Sequence, residues 1–209
     1  MTTLDKIACM QNRRDEIPNQ ELARFLAETK DKEGIHEIAV NLWNKNQNIQ
    51  SDCLKVLYEI GYLAPELIAD YVNDFLKLLK SKNNRMVWGS MIALATLADL
   101  KASEIDAQRP LILKTIEDGS VITVDNGVKI LATIASRLPE QSPEIFLYLL
   151  IHLETCLSKQ VPQHAEKILV AVNATNKDAF IGVLEKRMAD FTESQMSRVK
   201  KVIKEAKKR

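Results

Sequence analysis

The stretch that decides the fold is Ala93-Leu94-Ala95-Thr96-Leu97-Ala98-Asp99, which returns almost unchanged as Ile130-Leu131-Ala132-Thr133-Ile134-Ala135-Ser136. A looser copy precedes it, Val56-Leu57-Tyr58-Glu59-Ile60-Gly61-Tyr62, and another follows, Ile168-Leu169-Val170-Ala171-Val172-Asn173-Ala174. The four copies begin at residues 56, 93, 130 and 168, a spacing of 37, 37 and 38 residues. A fixed interval of this size marks stacked helical units, each unable to bury its own apolar face without a neighbour. In register, Leu57, Leu94, Leu131 and Leu169 form a core column, and Gly61, Ala98 and Ala135 a column of small residues where backbones approach closely.

Outward from these phrases the chain reads as alternating first and second helices. The expected pairs are 20–29 with 32–46, 51–61 with 65–80, 85–98 with 103–118, 124–137 with 143–159, and 162–174 with 177–190. A short opening helix over 3–13 and a closing helix from Thr192 flank them. Thr3, Ser51, Asn84, Ser103, Thr123 and Ser142 read as caps, and Thr192-Glu193-Ser194-Gln195 as a capping box. Phe25, Trp43 and Trp88 fall on apolar faces and are expected in the core. No stretch alternates as a half-buried strand does, so the fold is expected to be all-α.

With 209 residues and 46% hydrophobic side chains, the chain can bury a full core without disulfides. Cys9, Cys53 and Cys156 are an odd number in no metal-type spacing, so reduced thiols and a cytoplasmic location are expected. A net charge of +1 provides no global field toward nucleic acid or acidic lipid. The longest apolar stretch, Ile145 to Leu153, is too short to span a bilayer, and no secretory signal is recognisable. His36, His152 and His164 are scattered, and neither a zinc helix, a phosphate loop nor a nucleophile elbow is present. Neither catalytic residues, cofactor nor metal is therefore expected, and His152 reads as a hydrogen-bonded core histidine.

The paired helices with Leu-Ala-Thr-Leu-Ala and Leu-Ala-Thr-Ile-Ala in their first members resemble HEAT repeats of the armadillo-type helical repeat family. The resemblance covers roughly residues 20–190 and is one of spacing. The recurring Asp-x-x-Val-Arg ladder of that family is missing, and Pro110 falls inside a second helix, where an interior proline costs about 3 kcal/mol. The resemblance implies a right-handed α-α superhelix, a HEAT-like solenoid of about five antiparallel helix pairs plus terminal helices. It would form a single domain over 1–209, with an N-terminal cap at 1–17, repeats at 18–191 and a basic C-terminal cap at 192–209. It also implies a non-catalytic protein- or peptide-binding scaffold that uses the concave face of its second helices.

On that face the solvent stripe of the second pair is Glu66, Asp70, Asn73, Lys77 and Lys80. Shifted by 37 residues it becomes Ser103, Ala107, Pro110, Lys114 and Glu117, and then Glu140, Glu144, Leu147, Ile151 and Glu154. Layers about 10 Å apart would set Lys77 beside Lys114 to bracket an acidic group, and Asp70 of the same stripe is a further candidate partner contact. Scattered charges on a solvated face explain the same residues. In the fourth pair the stripe turns apolar. Leu147, Tyr148 and Ile151 could receive a peptide or a second copy of the chain through helix 143–159, or lie under a terminal segment or the curvature of the array. Basic residues from Arg198 to Arg209 offset a helix dipole or touch phosphates. The alternative function is a DNA-binding HEAT-like protein related to alkylpurine DNA glycosylases, with Tyr71, Asp74 and Lys77 as its set. The lack of a continuous basic track argues against nucleic acid.

Overall fold

A computed structural model describes residues 2–209. The described residues contain twelve α-helices and no strand. The chain divides into two compact units, the first ending at Val124 and the second running from Asp125 to Arg209.

The first unit carries α1 (Ile17–Thr29), α2 (Lys32–Val40), α3 (Gln47–Leu63), α4 (Val72–Leu78), α5 (Asn84–Leu97), α6 (Ala102–Asp106) and α7 (Arg109–Glu117). Helix α3 packs between α1 and α5, and α4 packs on α5. The repeated phrases lie along α3 and α5. Leu57, Ala93, Leu94, Leu97 and Ala98 are buried, and Gly61 with them. Glycine is needed at 61 for space: a Cβ there would stand 2.3 Å from Thr96 Oγ1 on α5.

Lys55 is buried on α3 but remains charged, because Glu16 (2.8 Å) and Glu59 (2.7 Å) both reach its ammonium and its Nζ lies over the Tyr58 ring. Burial alone would lower its pKa, but hydrogen bonding to the two carboxylates prevails and raises it.

The second unit holds most of α8 (Val121–Arg137), which straddles the division, with α9 (Ser142–Thr155), α10 (Val161–Ile168), α11 (Lys177–Lys186) and α12 (Glu193–Ala206). Helix α9 packs on α10 and α11, and α12 on the same two helices. Leu131, Ala132 and Ala135 of the repeated phrase are buried here too, while Leu169 is half-buried.

Several expectations are corrected. Residues 4–11 form two 3-10 turns, Leu4–Lys6 and Ala8–Gln11, instead of one helix. Backbone N–H groups here donate to side chains of other elements: those of Thr3 and Leu4 to Glu37, that of Ala8 to Asn19, and that of Cys9 to Asp52. The second helix of the second pair opens as two 3-10 turns, Pro65–Leu67 and Ala69–Tyr71, before α4 begins.

Pro110 does not interrupt a helix. The chain breaks after Asp106, and the proline falls in the first turn of α7, where its missing N–H removes no helical bond. Ser103 lies within α6 and does not cap it, and Asp106 receives a two-pronged contact from Arg109 at 2.7 and 2.8 Å. Asn46 and Asn83 cap α3 and α5 in place of Ser51 and Asn84, whereas the Thr192–Gln195 box forms as expected. Phe25 (47% exposed) and Trp43 (51%) are on the surface, the former with Lys6 Nζ over its ring. Trp88 is half-buried.

Candidate partner-binding surface

Helix α9 begins with Pro143 in its first turn and Glu144 near the positive end of its dipole. Ile145, Phe146, Leu149 and Leu153 are its buried face, and Phe146 meets the ring of Phe180 on α11 at 6.3 Å. On the other side Leu147 is 59% and Ile151 51% exposed, one turn apart, so no part of the described chain covers them. Tyr148 is half-buried and lies outside the two grooves that flank this pair.

The larger groove, about 590 Å³, runs from Ala135 and Pro139 past Phe146, Leu147 and Leu150 to Val170, Val172 and Ala179. The smaller, about 320 Å³, lies between Leu147, Leu150 and Ile151 on α9 and Ala179, Gly182 and Val183 on α11. At Gly182 the groove is open, and a Cβ there would meet nothing within 4 Å. One end is polar, with Lys186 Nζ 3.8 Å from Glu154.

Every member of the projected stripe is exposed, from Glu66 through Ser103 to Glu154. In the first unit Asp70 lies in a 3-10 turn, and Lys77 on α4 approaches Asp74 at 3.8 Å. Lys114 on α7 lines a groove of about 550 Å³ with Lys80 and Lys82, over a floor that includes Leu79, Val87 and Leu111. Lys77 does not line it, so the cations that share a groove with Lys114 are Lys80 and Lys82. Tyr71, of the glycosylase-like set, places its hydroxyl 3.4 Å from His36 Nδ1. Among the terminal cations, Arg198 is engaged by Glu166 through two bonds of 2.9 and 2.7 Å, while Val199, Val202, Ile203 and Ala206 bury one face of α12.

A cluster not anticipated from spacing lies elsewhere in the second unit. His164, fully buried on α10, donates through Nε2 to Asp125 Oδ1 at 2.7 Å, and its Nδ1 is 2.9 Å from His152 Nε2 on α9. Cys156, one turn beyond His152, completes a group whose three potential ligand atoms lie within 4.8 Å of one another. Burial, joined by the neighbouring His164, pushes the His152 pKa down to about 4, and burial lowers that of His164 against the pull of Asp125. Burial also raises the Cys156 thiol, partly offset by Arg187. The sequence signal was the i, i+4 pair His152 and Cys156, but His164 reaches it only through tertiary packing.

No family model matches the chain, and no curated protein matches its sequence. Solved structures do resemble it. An engineered protein aligns with a TM-score of 0.68 at 20% identity over 100% of this chain and 98% of its own. A designed armadillo repeat protein in complex with the peptide (KR)4 aligns at 0.64 and 17% identity, over 97% and 99% of the two chains. A computationally designed armadillo repeat protein for modular peptide recognition aligns at 0.62 and 17%, over 97% and 98%. The fold is an all-helical repeat of the armadillo and HEAT kind. No helix among the described residues is long and apolar enough to cross a membrane.

Proposed function

We propose that this chain is a non-catalytic binding module for peptide segments of other proteins. The observation that carries the reading is the pair Leu147 and Ile151, held in solvent on a well-packed helix between two open, largely apolar grooves. Covering the exposed half of each side chain gains about half of the roughly 1.5–3 kcal/mol that full burial gives, and two of them at adjacent turns can anchor a ligand. Rigid helices at the groove walls limit the ordering cost of binding.

Of the designed armadillo repeat neighbours, one is designed for modular peptide recognition and another is in complex with the cationic peptide (KR)4. Here Lys80, Lys82 and Lys114 would repel such a ligand, so acidic side chains suit the groove of the first unit, and bulky apolar ones suit that of the second. The three thiols are unpaired, which suits a reducing compartment such as the cytosol.

The test is selection from a displayed random-peptide library on the wild-type chain and on a Leu147→Glu/Ile151→Glu variant. The reading expects peptides with large apolar anchors from the wild type and loss of their binding in the variant, whose circular dichroism is unchanged. Equal binding by both proteins would overturn it. So would tight association with duplex DNA that weakens steeply between two salt concentrations.

A further inference from the structure

We propose that His152, Cys156 and His164 form a binding site for one Zn²⁺ ion, with Asp125 orienting the buried ligand. Two imidazoles and a thiolate are a borderline-soft donor set of the kind zinc takes, with the fourth tetrahedral position left to water. The site is built from regular structure. His152 lies in the last turns of α9, Cys156 is the residue that ends it, and His164 is in α10. The potential ligand atoms of all three fall within 4.8 Å of one another.

Outside this trio the surroundings are arranged as a zinc ligand requires. Asp125 Oδ1 lies 2.7 Å from His164 Nε2, so that nitrogen carries the proton and Nδ1 presents a lone pair toward His152 and Cys156. Asp125 is itself fixed: Gln163 Nε2 donates to its Oδ2 at 3.0 Å, and Lys167 Nζ to its carbonyl at 2.7 Å. Arg187 holds the turn that carries Cys156, donating to the carbonyls of Leu153, Glu154 and Cys156 at 2.7, 2.8 and 3.0 Å. Asp125 satisfies only Nε2 of buried His164; its Nδ1 is met by a second imidazole, with a thiol beside them, so that three donors suited to zinc converge on one point.

Zinc–nitrogen bonds of about 2.0–2.1 Å and a zinc–sulfur bond of about 2.3 Å set nitrogens about 3.3 Å apart and sulfur about 3.6 Å from each. The His152–His164 contact of 2.9 Å must therefore open by a few tenths of an ångström, and the sulfur must close in. The adjustment falls to half-buried His152 and Cys156, while fully buried His164 stays in place. In the metal-free protein His152 Nε2–H donates to His164 Nδ1. On binding, that proton moves to His152 Nδ1, the Cys156 S–H bond breaks, its proton goes to solvent, and both imidazoles bind neutral. The balance is one proton released for each Zn²⁺ bound.

The experiment titrates the untagged, chelator-stripped, reduced full chain with Co²⁺ and then Zn²⁺, by absorbance and by calorimetry in two buffers. The expected result is one Co²⁺ per chain, with visible bands of tetrahedral cobalt and a near-ultraviolet thiolate band, both erased by Zn²⁺. Buffer dependence of the heat should report about one proton released. Cys156→Ser should abolish the thiolate band. His152→Gln and Asp125→Asn should each weaken Zn²⁺ binding about ten- to a hundredfold, and Cys9→Ser should change nothing. Helicity measured on each variant separates lost ligands from lost fold. A thiolate band that survives Cys156→Ser, Zn²⁺ affinity indifferent to folded His152→Gln, or no tetrahedral cobalt spectrum would each overturn the assignment.

Discussion

Gly61 offers the sharpest test of how α3 and α5 pack. Replacing it with alanine should favour the helix by about 1 kcal/mol, because glycine is the poorer helix former. The new methyl, however, would lie 2.3 Å from Thr96 Oγ1, 3.0 Å from Ile68 Cδ1 and 3.1 Å from Thr96 Cβ. Thr96 cannot turn away freely, since its hydroxyl donates to the Ala93 carbonyl at 2.7 Å. Overpacking of this kind costs about 1–3 kcal/mol, and loss of the hydroxyl bond adds about 1. The net expectation for Gly61→Ala is a loss of about 1–3 kcal/mol, read from urea unfolding followed by circular dichroism. Thr96→Ala removes the closest atom, so the double variant should recover about 1–2 kcal/mol relative to the sum of the single changes. A Gly61→Ala protein as stable as wild type, with no coupling to Thr96, would refute the close approach of the two helices.

Other expectations follow from the same geometry. Gly182→Ala meets open space on α11 and should stabilise the protein by about 0.5–1 kcal/mol in the same unfolding assay; destabilisation would mean the position is not open. Ile130→Asp places a carboxylate at a fully buried position and should lose about 3–5 kcal/mol, whereas an unchanged melt would contradict its place in the core. Burial first, and then hydrogen bonding and repulsion from Asp52, raise the Cys9 thiol to about 11. Its lower thiolate fraction, partly offset by the greater nucleophilicity of a more basic thiolate, should make it alkylate roughly tenfold more slowly than an open thiol near pH 8, by mass spectrometry of each cysteine. Asp52→Asn should speed that reaction, and labelling of Cys9 at the rate of an open thiol would refute the shift.

The repeat was legible because it rests on burial alone: Leu57, Leu94 and Leu131, one interval apart, all lie in the interior. The exposed stripe followed from the same register, down to Leu147 and Ile151. Helix ends were harder to read. Pro65 and Pro110 both start new turns, and whether a proline kinks a helix or opens the next depends on where the preceding backbone bonds stop. Asn46 and Asn83 won the capping roles over Ser51 and Asn84 for the same reason, while Thr192 was plain because its box needs only Gln195 three residues on. Phe25 and Trp43 escaped because periodicity does not reveal that an aromatic can rest on the surface, as Phe25 does under Lys6. His164 joins His152 across the turn between α9 and α10, a proximity that no local pattern encodes.

Methyl NMR of selectively labelled leucine and isoleucine side chains, titrated with a peptide selected on the wild-type chain, tests the central claim most directly. The account predicts that the signals of Leu147, Leu150 and Ile151 shift together and saturate at one peptide per chain, while that of buried Leu94 stays in place. Saturating shifts confined to residues remote from α9 and α11, with Leu147 and Ile151 unmoved, would contradict it.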